Sequence, residues 1–125
     1  GMAKPAYSFI NGQNWWTDTN HALCMAQVRD KVYQITVTVG RQLRATGINF
    51  KFFGQQGWGT EFKGSASNYH LTSTSSVFCV GDGNGHDNGN IYLATGATLN
   101  NGDTYVFTID LTQGCDKGVF SAVKQ

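Results

Sequence analysis

Residues Val32–Val39 alternate without a break. On an extended backbone successive side chains point to opposite faces, so Tyr33, Ile35, Val37 and Val39 share one face and Gln34, Thr36 and Thr38 the other. Thr104–Asp110 repeats the pattern, with Tyr105, Phe107 and Ile109 inward and Thr104, Thr108 and Asp110 outward. Strands with one apolar and one polar face must cover the apolar side, and the arrangement that does so is two sheets packed face to face. Glycine is frequent (16 residues), proline occurs once, and strand formers come in short runs between turn clusters, which is an all-β pattern. The predicted strands are Ala6–Ile10, Leu23–Val28, Val32–Val39, Ile48–Phe53, Val77–Val80, Ile91–Ala94, Thr104–Asp110 and Val119–Val123. Arg29–Lys31 reads as a hairpin connection. Asn100–Asp103 and Gln113–Gly118 read as turns with glycines suited to positive φ. Gly40–Thr46 reads as a loop with at most one turn of helix. Lys63–Ser76 reads as a long surface loop with a short strand near Tyr69–Leu71. The expected fold is all-β, a two-sheet antiparallel β-sandwich.

The chain has 125 residues, enough for one domain with an ordinary core. Gly1 ahead of Met2 reads as a cleaved-tag remnant, so residues 1–5 are expected to be a tail and 6–125 one sandwich domain. Net charge is +1 and charged residues make up 14%, so surface polarity rests on amides, hydroxyls and glycine, which suit a neutral, hydroxyl-rich ligand. Lysines and arginines are scattered and form no stripe that would neutralise a phosphate backbone, so nucleic acid is not an expected partner. No apolar run approaches the ~20 residues of a spanning helix, so the chain is not expected to be membrane-spanning.

All three tryptophans lie in polar, turn-forming sequence. In Ile48–Gly59, Phe50 and Phe52 share a strand face, Lys51 and Phe53 take the other, and Gly54, Gly57 and Gly59 then surround Trp58. Trp15 and Trp16 sit in Asn11–Asp18; being adjacent, they point to opposite sides of an extended chain, one toward the core and one outward. An open indole beside amides and a lysine offers the C–H face of a sugar ring a surface to stack on while its hydroxyls meet polar groups. Trp58, one of Trp15 and Trp16, and Lys51 are therefore candidate ligand contacts, set against core closure for the indoles and a solvated strand position for the lysine.

The second polar cluster is Gly81–Asn90. Asn88 and Asn90 are candidate hydrogen-bonding partners in the same groove. Asp82, Asn84 and Asp87 offer oxygens at short spacing, the donor type calcium takes, but the order of the 12-residue calcium loop and its closing Glu are missing, so the expectation is a glycine-rich turn with no metal or other cofactor. His21, His70 and His86 share no metal spacing and read as solvated loop residues. Cys24, Cys79 and Cys115 match no zinc motif, and no disulfide is expected; the first two read as small buried apolar residues and Cys115 as an exposed one. Glu61, the single glutamate, is the one carboxylate of catalytic interest near Trp58. Glycoside hydrolysis needs a pair of carboxyl groups, so no enzyme activity is expected.

In chain order, the Asn14-Trp15 loop, Leu23-x-Met25, the Val32-Tyr33 strand, Asn49-Phe-Lys-Phe-Phe53 with Trp58-Gly59 downstream, Gly81-Asp-Gly-Asn84, Asn90-Ile91 and Gly102–Leu111 together resemble the glycan-binding domains of SusE/SusF-type outer-membrane lipoproteins of Bacteroidetes. They are similar more broadly to starch-binding β-sandwich modules. The stretch Gly64–Thr74 has no clear counterpart in that pattern. The resemblance implies a carbohydrate-binding-module-like sandwich and a neutral poly- or oligosaccharide ligand, α-glucan or starch among them, held on aromatic platforms at Trp58 and at Trp15 or Trp16 with help from Lys51. It further implies an extracellular or outer-membrane location for polysaccharide utilisation, with further domains or glycan-uptake proteins as partners. The alternatives are a structural or adhesive sandwich domain that contacts protein through the same aromatics, and a calcium-dependent lectin-like module.

Overall fold

The structure is a computed structural model and describes residues 25–46, 48, 50–54, 59–84 and 87–125. The fold is all-β and sandwich-like. Among the described residues seven strands form a larger and a smaller sheet: β1 (Ala26–Arg29), β2 (Val32–Thr38), β3 (Leu71–Ser73), β4 (Phe78–Val80), β5 (Ile91–Leu93), β6 (Thr104–Asp110) and β7 (Gly118–Lys124). The larger sheet runs β1-β2-β6-β7-β3, and the smaller pairs β4 with β5. All pairings are antiparallel except β3 with β7, which is parallel through Leu71↔Gly118 and Ser73↔Phe120.

The two alternating segments form the middle of the larger sheet, in register from Val32↔Asp110 to Thr38↔Thr104. Their apolar faces point inward as the period requires: Tyr33, Val37, Val39, Tyr105, Phe107 and Ile109 are buried. The outer face is polar and hydrogen-bonded, with Gln34 Nε2 donating to Thr108 Oγ1 at 3.0 Å and the hydroxyls of Thr38 and Thr104 3.2 Å apart. Phe78 of β4 meets Phe107 edge-on at 5.1 Å between ring centroids and Tyr105 at 5.3 Å, which fixes the small sheet across the inner face of the large one. Phe107 also contacts Phe50, Phe52 and Phe120, so the core is an aromatic cluster joining both layers.

Several sequence expectations need correction. Ile48–Phe53 is not a strand: Phe50 and Phe53 make only isolated bridges, to Ile91 and Glu61. Phe50, Lys51, Phe52 and Phe53 are all buried, so the segment threads between layers in place of lying on a half-exposed sheet. The short strand expected near Tyr69–Leu71 is β3 at Leu71–Ser73, held by β7. The first described strand begins at Ala26, and each of its residues is exposed. Cys115 opens a short 3₁₀ turn, Cys115–Lys117, and is half-buried against the core in place of exposed. Cys79 is half-buried as well, and neither Cys79 nor Cys115 is in a disulfide. His70 is not simply solvated: Nδ1 lies 2.9 Å from the Ser65 carbonyl and Nε2 3.3 Å from Thr72 Oγ1. The hairpin at Asp30–Lys31 and the positive φ of Gly102 and Gly114 match the turn chemistry read from sequence. Ala6–Ile10, Cys24, His21 and His86 lie outside the described residues.

Candidate functional site

The loop from Gly81 to Asn90 connects β4 to β5. Asp87 organises it. Its Oδ1 accepts the backbone N–H groups of Gly83 (2.9 Å) and Gly89 (2.7 Å), and its Oδ2 that of Asp82 (3.1 Å). A short acidic side chain that turns back onto nearby amides is a common reason for Asp in turns, and here it folds both halves of the loop onto one carboxylate. Gly81 N–H donates to the Asn90 carbonyl at 2.9 Å and closes the loop at its base. Gly83 and Gly89 have positive φ and lie packed against the Lys63 side chain, so a Cβ at either would collide with it or force it aside.

Lys51 lies beneath this loop. It is 6% exposed, and among the described residues it is the buried charged side chain. Its Nζ donates to the backbone carbonyl of Asn88. Burial holds the amine below its ordinary range, against the opposite pull of the Glu61 and Asp87 carboxylates and with a smaller contribution from the Lys63 charge. The expectation of a lysine open on a polar strand face is thus corrected: this ammonium supports the loop from below. The physical reason is that Phe50–Phe53 is covered on both sides.

Glu61 links the same cluster to Gly59. Its Oε2 accepts Gly59 N–H at 2.7 Å, and Phe53 bridges Glu61. Gly54 N–H donates to the Thr60 carbonyl at 3.0 Å. Gly64 N–H and Ser65 N–H donate to the carbonyls of Gly81 and Asp82, so the strip after Glu61 is joined to the second loop.

Trp15, Trp16 and Trp58 lie outside the described residues. Of the other candidates, Lys51, Asn88 and Asn90 come together: Asn88 is exposed and bonded through its carbonyl to Lys51, and Asn90 is half-buried at the loop base. Asp82, Asn84 and Asp87 share the loop, but the Asp87 oxygens face three amide N–H groups, partial positive charges that compete with a cation. Among the described residues no group of three or more His, Cys, Asp or Glu is placed to hold a metal ion. Sequence reasoning missed Tyr92. It is the exposed aromatic among the described residues, on β5 two positions past Asn90. The signal was present, because Ile91 and Tyr92 alternate and the apolar Ile91 must take the core side.

The family model for DUF5121, a domain of unknown function, matches residues 1–112. The chain belongs to the DUF5121 family. No curated protein and no solved structure matches it. The whole candidate site, from Lys51 to Tyr92, falls within the matched DUF5121 span, whereas β7 lies beyond it. No helix among the described residues is long and apolar enough to cross a membrane.

Proposed function

We propose that the protein is a non-catalytic carbohydrate-binding module for a neutral polysaccharide or oligosaccharide, α-glucan or starch among them, working at an extracellular or outer-membrane surface. The observation that carries this reading is a polar, glycine-rich loop fixed over one buried lysine. The loop bearing Asn88 and Asn90 is tied through Lys51 and Asp87, and Glu61, whose charge acts on the same lysine, holds the Gly59 amide next to Trp58 in sequence. Loops fixed in this way on a rigid sandwich form a preorganised edge, and preorganisation lowers the entropy a weak ligand must overcome. The low charge of the chain fits an uncharged ligand. Stacking on Trp58 and on Trp15 or Trp16 supplies most of the binding, with loop amides at Asn88 and Asn90 as hydrogen-bonding partners. Lys51 serves as a positioning residue, since its ammonium is engaged by the Asn88 carbonyl.

A binding role without chemistry agrees with how the carboxylates are used. Glu61 and Asp87 both hold loop backbone. The family resemblance adds further domains or uptake proteins as partners. Sugar hydroxyls exchange water for protein hydrogen bonds at little net gain, so affinity is expected at a Kd of roughly 0.1–1 mM, about 4–5.5 kcal/mol. Sister domains or multiple copies would raise it by avidity. A glycan array run on the wild type and on Trp58→Ala tests the proposal. Binding of a neutral glycan that is lost in the variant supports it; a wild type that retains no neutral glycan removes it.

A further inference from the structure

Tyr92 is 46% exposed on β5 and stands directly opposite Cys79 of β4. The two side chains therefore share one face of the hairpin, while Phe78 and Ile91 on the alternate positions are buried in the core. The neighbouring Cys79 sulfur, helped by partial burial and a hydrogen bond to that sulfur, holds the Tyr92 phenol above its ordinary range. Tyr92 thus stands on the outward face of the strand pair with Cys79 as its cross-strand neighbour.

Cys79 also lines a cavity of about 280 Å³ between β3 and β4. It is an open depression; Leu71, Phe78 and Val80 are its apolar lining, Thr72, Ser73, Ser75 and Cys79 its polar lining, and no lining residue is charged. Ser73 donates its hydroxyl proton to the Phe78 carbonyl at 2.6 Å. Ser75 Oγ accepts the N–H groups of Val77 (3.0 Å) and Phe78 (3.1 Å), which leaves its own proton free to point into the space. An apolar lining, a hydroxyl donor and no net charge complement a pyranose ring. The volume lies at the lower edge of small-molecule sites, roughly 300–1,000 Å³, and suits a single ring better than a chain passing through.

We propose that this cavity, flanked by Tyr92 across the strand pair from its lining residue Cys79, takes one terminal pyranose unit of a neutral glycan. The inference rests on the glycan-binding reading above and gives it a second subsite, on the hairpin face. The ring of Tyr92 stacks on the sugar's C–H face, and the Ser75 hydroxyl donates to a sugar oxygen.

Differential alkylation tests it. Iodoacetamide is reacted with the full chain with and without maltoheptaose, cellohexaose or xylohexaose, and each cysteine is read by peptide mass. At ten times the Kd of whichever probe binds, Cys79 is expected to react about ten-fold more slowly, with the rate at Cys115 unchanged. Tyr92→Ala is expected to weaken the same probe about ten-fold, and Cys79→Leu, which fills the cavity but keeps the ring, to weaken it as well, both with unaltered thermal unfolding. A probe that binds the wild type, leaves Cys79 fully reactive and ignores both substitutions overturns this subsite while leaving the glycan reading intact. A wild type that binds no neutral glycan on the array overturns both.

Discussion

At the scale of single residues, Lys51 and Asp87 decide whether the 81–90 loop keeps its shape. Because burial lowers the Lys51 pKa from an ordinary 10.5, the unfolded chain binds more protons than the folded one between the lowered value and 10.5. Stability from this group therefore rises with pH across that interval and is lost again as pH falls through the folded value. Urea unfolding of the wild type and Lys51→Met between about pH 7 and pH 10 is expected to show the difference in stability moving toward the wild type as pH rises. A flat difference would mean that the amine is not held in a dry site. Asp87→Ala removes an acceptor from three amides and is expected to cost about 1–3 kcal/mol. Hydrogen exchange at Asp82, Gly83 and Gly89 should accelerate in that variant. Added calcium should alter the wild-type Tm less than this substitution does; a larger calcium shift would favour the lectin-like alternative.

At the scale of elements, β2 and β6 were legible because their alternation is uninterrupted and one face must be buried. Ile48–Phe53 carries an equally suggestive pattern, yet it forms bridges and no ladder. Alternation reports which side is apolar, and here both sides are covered, so Lys51 is enclosed where a strand would have exposed it. The short strand expected near Tyr69–Leu71 lies at Leu71–Ser73, two residues further on. What makes it a strand is a parallel neighbour far along the sequence, an effect of tertiary context that local propensity does not carry. Phe107 joins both layers through Phe50, Phe52, Phe78 and Phe120, so Phe107→Ala is expected to cost about 3–5 kcal/mol in denaturant unfolding. A loss below about 1 kcal/mol would contradict its place at the centre of the core.

For the whole molecule, much of the architecture could be read in advance, and less of the site. Asn88 and Asn90 are visible in the sequence as amide side chains in a turn, but nothing there shows that a lysine 37 positions earlier bonds the Asn88 carbonyl. Tyr92 carries a weaker signal than the tryptophans, because it stands in an apolar strand and not in a polar turn, although a tyrosine at an outward strand position is also a flat surface. The strand order has a consequence for how such a chain is made. β7 sits between β6 and β3, so during synthesis β6 has only β2 beside it and β3 lacks its partner strand until β7 is made. A chain ending at Thr112, where the family match stops, is expected to leave β6 as a bare edge with β3 undocked, and to appear in the insoluble fraction on expression while the 125-residue chain stays in solution. For a nascent copy, the seven-residue strand β7 acts as the closing stitch, and until it emerges the aromatic interior has no finished wall behind it.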